Sequence, residues 1–166
     1  MFSAIITGLK LANWLNWIVA IVLTGFFALL LADAGGVRAE ILAGRGEASR
    51  EATRLYLYTV LSIVPPTAIA VHMLLTRLVA LVRDAAVGMA FTTANAVRLR
   101  MMGWALFAIN IADLVYGWVS IRASEASGEY FGWSLSLTGW VAVPLLFVLA
   151  HVFREGAAMR QDLEGT

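Results

Sequence analysis

Three side chains could do chemistry within the apolar part of this 166-residue sequence: His72, Asn110 and Asp113. Asn110 and Asp113 stand three residues apart in "FAINIADLVYGW", which puts both on one face of a helix. A charged aspartate at the centre of a membrane helix costs about 2.5–3.5 kcal/mol, so Asp113 should face other helices and either pair or hold a proton. Such a group serves as a proton or ligand site, or as a polar bond tying two helices together. His72 follows Pro65-Pro66 and could be the partner of Asp113, in which case the pair would respond to pH. A single histidine satisfied inside a kinked helix is the plainer role. A second group is cationic. Arg83, Arg98 and Arg100, with the tail from Arg154 to Asp162, could dock a soluble partner or anchor to anionic headgroups.

The motifs of an enzyme are missing. The sequence has no phosphate-binding glycine loop, no H-E-x-x-H and no nucleophile elbow. His72 and His151 have no metal-ligand spacing, and a chain without cysteine forms neither a disulfide nor a thiolate metal site. The expectation is therefore no enzyme, no metal and no cofactor. Three arginines without interleaved aromatics do not make a nucleic-acid patch.

The elements that must position these residues follow from composition and charge. The chain is 61% hydrophobic, well above the 45–50% or so of soluble domains, and its mean hydropathy is +0.82. Residues 11–32, 55–76 and 130–153 carry no acidic, lysine or arginine side chain, and 101–121 carries only Asp113. A helix needs about 20 apolar residues to cross roughly 30 Å of hydrocarbon. The pattern predicts an all-α integral membrane protein, a single domain over 1–166. Its four transmembrane helices form a bundle, with spans at about 11–32, 55–82, 101–121 and 131–153. "ADA" at 32–34 imitates a signal-peptide cleavage site, but the apolar run 14–31 exceeds the 7–15 or so residues of a signal core. It reads as a retained span. No internal repeat relates spans 1–2 to spans 3–4.

Local signals refine the picture. In "EASREATR", Glu47, Arg50, Glu51 and Arg54 make opposite-charge pairs at helical spacing, so the second helix should begin ahead of its apolar run. Pro65-Pro66 should kink it, and Gly88 should stop it. Thr92 or Thr93 reads as the N-cap of the third helix, with Asn95 at N3 of Thr92 as a weak capping box. Helices 2 and 3 then form a hairpin that extends into the cytoplasm. Trp14, Trp17, Trp104, Trp118 and Trp133 fall near span ends, as interfacial tryptophans do, and Trp140 lies deeper. With the N-terminus inside, the inner segments hold Lys10, Arg77, Arg83, Arg98, Arg100, Arg154 and Arg160. The outer ones hold Arg38, Arg45, Arg50, Arg54 and Arg122. The excess of inner basic residues places both termini in the cytoplasm.

"GMAFTTANAVRLRMMGWAL" and the closing "VFREGAAMRQDLEGT" resemble the two motifs of a family of small four-helix bacterial membrane proteins called domain of unknown function 2975. The first motif has a small residue, Phe-Thr, Asn-Ala, Arg-Leu-Arg and Gly-Trp. The second has Phe, Gly, a basic residue, Asp, and Thr near the end. Ala90 stands where the family usually has proline, Ala94 where it often has an acid, and Gly165 where leucine is usual. The resemblance implies a protein of the bacterial cytoplasmic membrane. It also implies a regulatory or sensory role, because such proteins are often encoded beside a small helix-turn-helix regulator. On this reading a cytoplasmic regulator binds the hairpin and tail. Two other readings stand beside it. One is a structural accessory subunit of a larger membrane complex. The other is a small proton-coupled carrier using Asp113, Asn110 and His72, which would have to be oligomeric to enclose a path.

Overall fold

Long uncharged runs can only satisfy their backbone groups internally when they leave water, and helices do so within one segment. The computed structural model describes residues 2–44, 46–128 and 130–164, and among them there is no strand. Arg45 and the last two residues of the closing motif lie outside the described residues. The elements in order are α1 (Phe2–Leu31), a 3₁₀ turn (Ala34–Gly36), α2 (Val37–Leu42), α3 (Glu47–Ala86), α4 (Thr93–Ser127) and α5 (Leu137–Glu164). Helices α1, α3, α4 and α5 are long and apolar enough to cross a membrane.

The distribution of side chains is that of a protein in lipid. The buried apolar residues are largely small, Ala20, Ala68, Ala96, Ala105, Ala123, Ala150 and Ala157 among them. Large ones point outward: Leu11, Trp14, Ile18 and Val22 on α1, Trp104 and Trp118 on α4, Val141, Leu145 and Val148 on α5. Small residues let helix backbones approach closely where no hydrophobic effect drives them together.

α3 starts at Glu47, inside the paired-charge sequence, and continues through Pro65 and Pro66. The fourth apolar run behaves differently from its expectation. Helix was predicted from about 131, but α5 begins at Leu137 and residues 130–136 are not helical. Tertiary contacts hold this stretch. The Phe131 N–H donates to Ser124 Oγ at 2.9 Å, and the Trp133 ring lies over Gly117. A Cβ at Gly117 would come within 2.2 Å of that ring, so the close approach needs glycine.

The contacts group into two compact units. The first comprises Met1–Asn16, Ile69–Asn110 and Ser136–Thr166, and the second Trp17–Ala68 and Ile111–Leu135. In the first, α4 and α5 pack through aromatic edges. Trp104 meets Phe147 at 5.5 Å between centroids, and Phe107 meets Trp140 at 6.0 Å, both nearly perpendicular. Such edge-to-face pairs are worth about 0.5–1.5 kcal/mol beyond their area. Gly103 admits the Phe147 ring. In the second, Tyr56 packs on Phe131 at 4.8 Å and on Tyr116 at 6.2 Å, and Phe27 on Tyr58 at 6.1 Å.

Candidate functional site

The densest polar arrangement in the first unit is the turn joining α3 to α4. α3 stops because Gly88 adopts a left-handed conformation, φ 76°. The Met89 N–H then reaches Asp84 O at 2.8 Å and the Gly88 N–H reaches Ala85 O at 3.1 Å. This is the double-bonded helix ending that glycine favours, and it satisfies two carbonyls left over at the helix end. α4 starts at the next opportunity. Thr92 is its N-cap: Thr92 Oγ1 accepts from the Asn95 N–H at 3.2 Å, and Thr92 O accepts from the Ala96 N–H at 3.1 Å.

Asn95 does not complete a capping box. Its side chain, 0% exposed, turns back under the turn instead. Nδ2 donates to Ala90 O at 2.9 Å and to Met89 O at 3.2 Å, while Oδ1 accepts from Arg98 Nη1 at 2.6 Å. The same arginine nitrogen forms an ion pair with Asp84. Arg98 and Asp84 side chains are about a quarter exposed, so the pair keeps part of its hydration and avoids the full penalty of burying charge. One asparagine thus holds two loop carbonyls, and one arginine joins the last turn of α3 to the first turns of α4.

The tail closes against this turn. The Phe91 and Phe153 rings lie 4.9 Å apart, and a Cβ at Gly156 would come within 2.8 Å of the Phe91 ring. The two sequence motifs, remote along the chain, are therefore one packed structure.

Each anticipated residue can now be placed. Arg98 is engaged within the turn rather than presented outward. Arg83 and Arg100 are exposed, as is Arg154, whose Nη2 donates to His151 Nδ1 at 3.0 Å. Asp162 is exposed near the end of α5. Arg100 and Arg154 line a common groove between α4 and α5. The intramembrane group is not gathered into one constellation. His72 Nδ1 donates to Asn13 Oδ1 at 2.9 Å. Asp113, half-buried, accepts from Trp133 Nε1 at 3.4 Å, long for a hydrogen bond. That contact takes the place of the His72 partner considered for it. Asn110 is buried against Gly139, and its Nδ2 has no hydrogen-bond partner among the described residues.

Sequence reasoning passed over Asp84, Asn95's second role, Asn13 and Trp133. Asp84 carried a usable signal, being the only acid between Arg83 and Arg100. The others depend on contacts across the fold.

Four apolar helices, with small residues inside and large ones outside, define a multi-pass membrane protein. Residues 12–166 match the model of a protein family of unknown function, DUF2975, and the chain belongs to that family. No curated protein and no solved structure gave a match.

Proposed function

We propose that the chain is a non-enzymatic regulatory or sensory protein of the bacterial inner membrane. It binds a soluble cytoplasmic partner, such as a small helix-turn-helix regulator, through the turn between α3 and α4 and the tail of α5. The observation that carries this reading is the turn itself. A fully buried asparagine and the Arg98–Asp84 pair fix its backbone, and so fix the exposed Val87, Met89 and Phe91 beside the exposed Arg83. Preordered apolar side chains flanked by charge make a surface that binds with little loss of conformational freedom. Residues 77–86 continue α3 beyond its uncharged run for about 15 Å at 1.5 Å per residue, which supports a hairpin standing in the cytoplasm. Both termini then share that side, as the arginine distribution favours. The structural-subunit reading draws on the outward apolar faces of the helices, which a larger membrane complex could cover.

Two measurements test the proposal. The chain has no cysteine, so single cysteines at Ala86 and Ser127 can be labelled on intact cells against a blank background. An impermeant maleimide should label position 127 and spare 86, and the reverse result would place the turn outside. Next, the tagged protein is purified in mild detergent and its co-purifying regulator titrated back. Arg83→Glu should weaken binding by about ten-fold, and the wild-type affinity should fall as salt rises. Equal affinity for a correctly inserted Arg83→Glu, Phe91→Ala double variant would sink the docking role.

A further inference from the structure

The groove between α4 and α5 is separate from the turn surface. Thr93, Ala96, Val97 and Arg100 of α4 line one wall, and Phe147, Ala150, His151 and Arg154 of α5 the other, around about 290 Å³. Each set follows the i, i+3, i+4, i+7 spacing of a single helix stripe. Ala96 and Ala150 are buried and leave the floor open. On α5 the lining is graded, from the apolar Phe147 beside Gly103 and Trp104 to the polar His151 and Arg154, whereas on α4 Thr93 and Val97 lie on the turn side of Arg100.

The sequence fixes the depth of that gradient. Arg100 is the last charge before the apolar run 101–121, and Arg154 is the first after the run 130–153. Both guanidiniums therefore stand where their helices leave the hydrocarbon, at headgroup level. Their charge is largely uncompensated. Arg100 makes no ion pair among the described residues. Arg154 uses one nitrogen on His151 Nδ1, and the nearby Glu155 is held by His151 Nε2 at 3.0 Å. His151 thus accepts at one ring nitrogen and donates at the other, standing between Arg154 and Glu155.

We propose that this groove binds one anionic phospholipid, its phosphate between Arg100 and Arg154 and an acyl chain along Phe147. Guanidinium groups match phosphate oxygens with paired, charge-assisted hydrogen bonds. Phe147, packed level with Gly103 and Trp104, lies on the membrane side of Arg100, as an acyl chain lies below its headgroup. This inference does not depend on the soluble partner, because the phosphate contacts avoid Arg83 and the turn.

Native mass spectrometry of the full chain in detergent tests it, with phosphatidylglycerol and phosphatidylcholine of the same acyl chains as probes. Wild type should retain one phosphatidylglycerol at least about ten-fold more strongly than phosphatidylcholine, whose choline cation is repelled by the two guanidiniums that hold its phosphate. Arg100→Gln and Arg154→Gln should each remove most of that preference, and Arg83→Gln should keep it. Ala150→Leu fills the floor without touching either arginine and should also lose the lipid, which guards against a glutamine variant that fails to fold. Thermal unfolding confirms that each variant is folded. Unchanged phosphatidylglycerol preference in folded Arg100→Gln and Arg154→Gln overturns the proposal. Displacement of the lipid by millimolar glycerol phosphate also overturns it, because the site would then be one for free phosphate.

Discussion

The turn before α4 and the connection after it are both short breaks between apolar helices, and they are ordered by opposite devices. Residues 87–92 are held by polar groups: the Gly88 ending, the Thr92 cap, the Asn95 amide and the Arg98–Asp84 pair. Residues 130–136 are held largely by rings, Trp133 on Gly117 and Phe131 on Tyr56, with hydrogen bonds from the Phe131 N–H to Ser124 Oγ and from Trp133 Nε1 to Asp113. A polar-held turn keeps its tip free to present side chains, and Val87, Met89 and Phe91 are indeed exposed. A ring-held connection uses its large side chains for its own packing, so Phe131 and Trp133 are half-buried. The difference suits the first to the docking role proposed for it and the second to packing.

Substitutions can break this contrast. The largest effect is expected from Asn95→Ala, which strands the Met89 carbonyl, leaves Ala90 O with the Thr92 N–H alone, and removes one arginine contact. It should lower stability in detergent by about 3 kcal/mol, since each buried polar group left unpaired costs about 1–3 kcal/mol. Hydrogen exchange should accelerate at 87–92 and stay unchanged at 130–136. Gly117→Ala should be next, at about 2 kcal/mol, because the added methyl must push aside an indole rather than a flexible side-chain end. Here exchange should rise at 130–136 alone, and the fluorescence of Trp133 should shift as the ring leaves its site. Thr92→Ala sharpens the contrast with the smallest change, about 1 kcal/mol for a lost N-cap, localised to the first turn of α4. Should either of the first two variants loosen both segments together, the two devices are not independent and the contrast fails.

Much of this was legible in the sequence, for a physical reason. The four spans are written in gaps between charges, because charge in hydrocarbon is too costly to be scattered at random. The stop at Gly88, the cap at Thr92 and the early start of α3 depend on neighbours a few residues away, so local reading reached them. What escaped reading lies between residues distant in sequence. Arg98 reads as an outward cation until Asp84, fourteen residues earlier, is seen to take it. Residues 130–136 are uncharged like a span, and the contacts that accompany their departure from the helix, Trp133 over Gly117 and Phe131 on Tyr56, join residues distant in sequence. His72 and Asp113 could be read as partners because each needed one, yet Asn13 and Trp133 serve them.

Phe91 rests against Phe153 and over Gly156, so the tip of the turn and the end of α5 share one contact. Were the proposed partner and the proposed lipid both to bind, any change that a shift of Phe91 makes in the lipid's affinity would be matched by an equal change that the lipid makes in the partner's. The proposed lipid site would then report on the bilayer to a molecule in solution through one ring contact.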